Sequence, residues 1–311
     1  MNQKKTDWAS LYGTFSFSGD SLKFHGETDQ LEVDGVPKEY AASGLAMSNN
    51  SFSGGKISAR VKFDQVGSFG SSCFIVISYD VETGGMVVAG INEQSPYMYM
   101  IQSLDVSKNV WVYHHGKGDR RNLKANVWYD ISISVLGSNV LLDVDGVRVT
   151  QTTLPNPLSI TQVGVRCSGY LDVHVSDFVV STELPKAFVV MQFASPYNEL
   201  YTDVIRPVCK EFGIEAVRAD DTFGPGMIIA DITQQIIQSR LVIAEISPVN
   251  ANVYYEVGYA HALNKPTILI AERQTRLPFD VSPFRVLFYD NTINGKLKVE
   301  DGLRRHLQNI I

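Results

Sequence analysis

Leu241 to Lys265 reads LVIAEISPVNANVYYEVGYAHALNK, and this stretch decides the fold. The run Leu241-Val242-Ile243-Ala244 has no polar position to turn toward water, so it predicts a strand buried on both faces. A polar loop, Ser247 to Asn252, follows. Beyond it Val253, Val257, Ala260 and Leu263 recur at helical spacing, and Gly258, Ala260 and Ala262 allow close packing. Glu256 reads as a first-turn acid, where the helix dipole favours negative charge. Its neighbours Tyr254, Tyr255, Tyr259 and His261 are not those of a solvated, lysine-rich face. Open α/β sheets bind ligands at the carboxyl ends of their strands, which is where this glutamate falls.

The same alternation extends to both sides. Ala187 to Phe193 reads as a buried strand, and Pro196-Tyr197 opens a helix running to about Phe212. Gly213 ends that helix as a C′ glycine. Ile214 to Arg218 is a second strand and Ile228 to Arg240 a second helix, with Ile229, Ile232, Ile236 and Ile237 inward. Pro266 to Ala271 and Arg285 to Tyr289 supply two more strands, and Val299 to Ile311 a closing helix. This spacing predicts a five-stranded parallel sheet of flavodoxin-like order 2-1-3-4-5.

Before Glu183-Leu184-Pro185 the period changes. Residues 56–63, 73–77, 128–135, 140–144, 147–149, 160–167 and 171–180 are short alternating runs separated by turn residues. Asp145-Gly146 between two such runs signals a hairpin, because a type I′ turn needs positive φ at both central residues. Many short strands without helical period predict a β-sandwich. The expected division is therefore residues 1–183, an all-β jelly-roll sandwich, and residues 184–311, an α/β domain. Tyr97-Met98-Tyr99-Met100-Ile101, with Trp111 and Tyr113, reads as sandwich core; a sugar-stacking platform is the alternative. His114 to Arg121 reads as a solvated hairpin tip, with a basic contact loop as the alternative.

Composition bounds the rest. The 311 residues are long enough for two cored domains, and 44% hydrophobic with 19% charged content marks a globular chain. A net charge of −6 argues against general nucleic-acid binding. Three cysteines without CxxC spacing predict reduced thiols and a cytoplasmic setting. No signal peptide or membrane-spanning run is read, and no histidine falls at metal-ligand spacing.

The carboxyl ends of the first three α/β strands should converge on one crevice. They bring Phe193, Ala194 and Ser195; Asp220, Asp221 and Gly226; and Ser247, Asn250, Asn252, Tyr255 and Glu256. Asp231, in the first turn of the second helix, joins them. There is no GxGxxG after the first strand and no GxxxxGK[ST], so neither a dinucleotide fold nor a P-loop is expected. One glutamate with polar helpers suits chemistry at an anomeric carbon, where an oxocarbenium-like cation develops.

Two resemblances follow from these residues. Gly54 to Val61, Trp128 to Ile133 and Leu142 to Gly146 resemble concanavalin A-like lectin/glucanase and laminin-G-like jelly rolls over roughly residues 8–183. The E-x-D-x-E strand of the glycanase members is missing, so the resemblance implies binding, sensing or assembly, with a glycan or protein ligand. Arg218 to Asp221, Gly224 to Gly226, Asp231-Ile232, Val242 to Glu245 and Asn250 to Leu263 resemble the superfamily of nucleoside 2-deoxyribosyltransferases and TIR-like NAD hydrolases. That resemblance, over residues 187–290, implies Glu256 as the catalytic residue, Phe193 and Ala194 against the base or nicotinamide, and Asp231 as a further site acid. This chain has Glu245 and Asn250 where the related sequences carry aspartates. Asn250 cannot protonate a departing base, which places NAD⁺ hydrolysis ahead of base transfer. The implied protein is an NAD⁺ nucleosidase with NAD⁺ as substrate, no cofactor and no metal. It is expected to be a homo-oligomer of the bacterial antiviral type that does not bind membranes. A nucleoside N-glycosidase or deoxyribosyltransferase, and a non-catalytic nucleotide-sensing or scaffold module, are its alternatives.

Overall fold

The computed structural model describes residues 6–33, 36–67, 70–221, 228–247 and 249–310. The chain divides into two compact units. One comprises Met1–Val135, Asn139–Thr152 and Ser159–Glu183; the other comprises Leu136–Ser138, Thr153–Leu158 and Leu184–Ile311.

The first unit is an all-β jelly-roll sandwich. Its strands are β1 (Trp8–Tyr12), β2 (Phe15–Ser18), β3 (Ser21–Phe24), β4 (Thr28–Val33), β5 (Val36–Phe52), β6 (Gly55–Phe63), β7 (Ser72–Tyr79), β8 (Met86–Asn92), β9 (Tyr97–Asp105), β10 (Val110–Asp119), β11 (Trp128–Leu136), β12 (Asn139–Val144), β13 (Val147–Thr153), β14 (Thr161–Gly169) and β15 (Val173–Thr182). One sheet runs β1-β5-β14-β7-β8-β9-β10, with β4 also pairing β5, and the other runs β13-β12-β11-β6-β15-β3-β2. Period-two patterning fixes the register. Ile57, Ala59, Val61 and Phe63 of β6 are buried, as are Tyr129, Ile131, Ile133 and Val135 of β11, while Lys56 and Arg60 face outward. The Asp145-Gly146 turn has φ of 51° and 77°, as the hairpin signal requires.

Two expectations for this unit need correction. His114 to Arg121 is not a hairpin tip: it forms the second half of β10 and a 3₁₀ turn, Arg120–Asn122. A bulge between Tyr113 and His115 breaks the apolar alternation that would have marked the strand. Tyr97 to Ile101 is core only in part: Met98, Met100 and Ile101 are buried, but Tyr97, and with it Trp111 and Tyr113, is exposed.

The second unit holds strands β16 (Lys186–Val190), β17 (Glu215–Arg218), β18 (Leu241–Glu245), β19 (Thr267–Glu272) and β20 (Val286–Tyr289). They pair in parallel in the order β17-β16-β18-β19-β20. Every residue of β18 is buried, because alternate side chains enter two different cores. Leu241 and Ile243 join Val189, Val204, Val208 and Leu303 on one face. Val242 and Ala244 join Phe188, Val190, Val253 and Val257 on the other. Burying each such aliphatic side chain contributes roughly 1.5–3 kcal/mol.

Helices α1 (Tyr197–Leu200) and α2 (Arg206–Glu211) are joined by a π-helical turn, Tyr201–Ile205. Pro207 cannot donate to the ladder, and the winding loosens just before it. Gly213, at φ 66°, follows as the C′ residue. The remaining helices are α3 (Ile228–Gln238), α4 (Ala251–Ala262) and α5 (Ile293–Gln308). Helix α5 begins earlier than the Val299 expected. The Thr292 side chain accepts from Gly295 N at 3.0 Å and starts the helix before its apolar period is established. Thr292→Ala is expected to cost the second unit about 1 kcal/mol. Urea unfolding followed at 222 nm checks this, because all the α-helices among the described residues lie in that unit.

Candidate functional site

The carboxyl ends of β16, β17 and β18 open onto a crevice of about 1190 Å³ in the second unit. Phe193, Asp220, Asp231, Asn250, Asn252, Tyr255 and Glu256 line it. Ala194, Ser195 and Ser247 do not. Ser195 Oγ instead donates to Glu199 Oε1 at 3.0 Å, and Ser247 Oγ is bound to the Glu245 carboxyl. Asp221 closes a short 3₁₀ turn with its side chain outside the described atoms, and Gly226 lies outside the described residues. Sequence reasoning missed Met191, Gln192 and Gln235 in the crevice wall, and placed in the core Ile229, which is exposed and lines the crevice instead. The inward positions of a strand end and of a helix N-terminal turn carry no motif of their own.

Glu256 is not a first-turn acid. Asn250 caps α4 by accepting from Asn252 N at 3.0 Å, so the helix starts at Ala251 and Glu256 sits in its second turn. The dipole acts mainly within the first turn, so it does little there to offset burial. Burial alone pushes the Glu256 carboxyl up to about 7. Near neutrality the group is divided between its protonated and ionised forms and can deliver a proton.

The other two acids differ from it. Asp220 is held by Arg218, whose Nε and Nη2 donate to its two oxygens at 2.9 and 2.6 Å. The same guanidinium lies 5.1 Å from the Phe193 ring and 4.5 Å from the Tyr201 ring, and donates to Asn198 Oδ1 at 2.8 Å. Arg218 therefore fixes the aromatic lip and one carboxylate together. Asp231 is exposed in the first turn of α3. Phe193 and Tyr255 are half-exposed at the lip. His261 is stacked on Phe284 with centroids 4.2 Å apart, so it packs against a neighbour.

Beneath the crevice, Glu245 ends β18 with no exposed surface. Its Oε1 accepts from Ser247 N and Tyr289 OH, each at 3.2 Å, and from Ser247 Oγ. Ser247 Oγ in turn accepts from Glu272 N at 2.6 Å. One carboxyl thus ties together the ends of β18, β19 and β20. Its Oε2 is buried without a hydrogen-bond partner among the described residues.

In the first unit Asp64, Asp172 and His174 lie close enough to consider a metal. Lys62 Nζ already stands 3.4 Å from Asp64 and Lys23 Nζ 2.7 Å from Asp172, so the negative charge a cation would need is compensated.

No family model and no curated protein matches the chain. Solved structures do. Carbohydrate-binding module CBM66 from Bacillus subtilis is 10% identical, covering 55% of this chain and 92% of its own, at a TM-score of 0.43. The catalytic domain of LamA from Zobellia galactanivorans is 11% identical, covering 50% of this chain and 74% of its own, at a TM-score of 0.33. Galectin LEC-6 from Caenorhabditis elegans is 13% identical, covering 50% and 95%, at a TM-score of 0.29.

The names that these and other matching solved structures carry include those of a carbohydrate-binding module, a putative glycosyl hydrolase and a galectin, and the expectation of NAD⁺ hydrolysis, with its nucleoside and nucleotide-sensing alternatives, is corrected on that finding.

Proposed function

We propose that the crevice of the second unit hydrolyses an O-glycosidic bond, with Glu256 as the proton donor, and that the sandwich holds saccharide. One observation carries the reading: a half-buried carboxyl raised to about 7 by burial lines a crevice that also presents two further acids and an aromatic lip. An alkoxide leaving group needs a proton as its bond to C1 breaks, and Glu256 supplies it. The exposed carboxylate of Asp231 takes a proton from the attacking water, whose oxygen forms the new bond to C1. Asn250, Asn252 and Gln235 offer hydrogen bonds to sugar hydroxyls, and Phe193 and Tyr255 offer ring faces. The winding of the parallel sheet supports a flavodoxin-like, TIR-like fold for this unit as a likeness of fold only.

The test is sugar release from a panel of methyl glycosides, 4-nitrophenyl glycosides and neutral and acidic oligosaccharides between pH 5 and 8. The reading expects new reducing ends from at least one sugar class, at a rate that falls as the pH rises past about 7 and Glu256 loses its proton. Folded protein that releases sugar from none of them overturns it.

A further inference from the structure

We infer that the outer strand of the first unit carries a binding site for an anionic saccharide, built on Trp111, Tyr113 and Arg166. This rests on the reading of the sandwich as the saccharide-holding unit, and names the ligand class and the residues.

The site begins with strand geometry. Arg166 pairs in register with Leu45 and Phe74, and Trp111 with Leu104. Register partners point to the same face of a sheet, and Leu45, Phe74, Met100 and Leu104 share one apolar cluster. Arg166 and Trp111 therefore stand on that face. They belong to β14 and β10, four steps apart in the sheet order. At about 4.8 Å per step their backbones would lie about 19 Å apart in a flat sheet. The guanidinium nevertheless sits 5.2 Å from the Trp111 ring centroid. The sheet must curl, and the two side chains reach toward each other over an apolar floor that includes Phe74, Val76, Val88 and Met100. This face is packed with hydrocarbon, so a sugar cannot lie down in it. It must lie on the rim.

The rim is suited to that. Tyr113 follows Trp111 by two residues on β10 and stacks with Tyr97 at 5.7 Å and 21°. All three rings are exposed, at 36% for Trp111, 46% for Tyr113 and 44% for Tyr97. Exposed rings gathered into one patch, rather than scattered singly, mark a surface that something binds. The charge identifies what covers these. Arg166 is half-buried, and among the described residues no carboxylate pairs with it, although the chain carries a net charge of −6. A cation drawn out of water over a ring, with its outer hydrogen-bonding edge unclaimed, asks for an anion. A sugar bearing a carboxylate or a sulfate meets both demands: its ring face lies on the aromatic row and its anionic group takes the guanidinium.

The experiment uses the full chain carrying Glu256→Gln, so that hydrolysis does not consume the probes. Trigalacturonate, its methyl ester and a sulfated galactan trisaccharide are titrated by calorimetry and by tryptophan fluorescence. We expect one or both anionic probes to bind with a fluorescence change that Trp111→Phe removes, and the neutral ester to bind at least tenfold more weakly. Which anionic probe binds distinguishes carboxylate from sulfate. Arg166→Gln should bring the acid down to the level of the ester, and Arg166→Lys should restore part of the loss, which misfolding would not allow. Equal binding of acid and ester, an unchanged affinity in Arg166→Gln, or no binding of either anionic probe overturns the inference. Trp111-dependent self-association without saccharide binding does so too, and assigns the strand to a second copy of the chain. Lost binding with intact hydrolysis in the wild type sinks this site alone; intact binding with no hydrolysis sinks only the reading of the crevice.

Discussion

Glu256→Gln is expected to slow cleavage of an alkyl glycoside by about 10²–10⁴-fold, and cleavage of the matching 4-nitrophenyl glycoside far less. The difference follows from what a proton donor does. An alkoxide is a poor leaving group and must be protonated as its bond breaks; a nitrophenolate leaves without help. Glutamine keeps the size and the hydrogen-bonding oxygen of the side chain but carries no transferable proton. Steady-state rates on both substrates check this. Equal losses would mean that Glu256 acts as an ionised group or holds the crevice together, and the donor role would be wrong. The pH profile adds a second constraint. The wild-type rate on the alkyl substrate should decline above about 7, and the decline should be absent from the residual activity of Glu256→Gln.

Position in the helix explains why the burial of Glu256 was only half legible in the sequence. LVIAEISPVNANVYYEVGYAHALNK does declare a strand, a loop and a helix, and the strand is buried on both faces because its odd and even residues feed two cores. The sequence does not declare where the helix starts. Asn250 and Asn252 are both good caps by type, and choosing between them moves Glu256 by half a turn relative to the dipole. Asn250 caps, so the glutamate lies beyond the reach of the helix end and is governed by burial.

The sandwich was legible where its strands alternate strictly, as in β6 and β11 with lysine, arginine, serine and aspartate on the outward side. It was not legible in β5. That strand runs for 17 residues through Ala41-Ala42-Ser43-Gly44 and Ser48-Asn49-Asn50-Ser51, residues of low strand preference held in place by β1, β4 and β14 on either side. Nor was β10 legible, because it is the last strand of its sheet, where Trp111, Val112 and Tyr113 are all exposed, and a bulge after Tyr113 shifts the register of its second half. The aromatic row was found by residue type and misassigned by face, since no local pattern tells a core tyrosine from one on a strand edge.

The Glu245 network predicts that the second unit loses stability as the pH rises from 5 to 8, and that Glu245→Gln removes much of that loss. The carboxyl is fully buried, and burial lifts it to about 7; the nearby Glu272 charge adds to this while Ser247 and Tyr289 work against it. Its ordinary value is 4.5. A folded-state value above the unfolded one means that the native protein binds the extra proton. Its stabilising contribution is therefore complete below about 4.5 and disappears as the pH rises through about 7. At about 1.36 kcal/mol per unit, the full swing for a group so deeply buried is about 3 kcal/mol. Glutamine holds a neutral amide at the same place, accepts from Ser247 and Tyr289 through its oxygen, and does not titrate. Urea unfolding at 222 nm, where the helices report, should show the wild type falling relative to Glu245→Gln across this range. Parallel curves would mean that Glu245 is ionised throughout, with its charge met by some group that reaches Oε2. The consequence for the site is structural. The carboxyl that titrates here is the one joining the ends of β18, β19 and β20, and the segment leaving β18 leads directly to the Asn250 cap and the helix that carries Glu256. Ionising Glu245 loosens the base on which that helix is set, so activity above neutral pH should fall from two causes. Glu245→Gln separates them, leaving only the decline that belongs to Glu256.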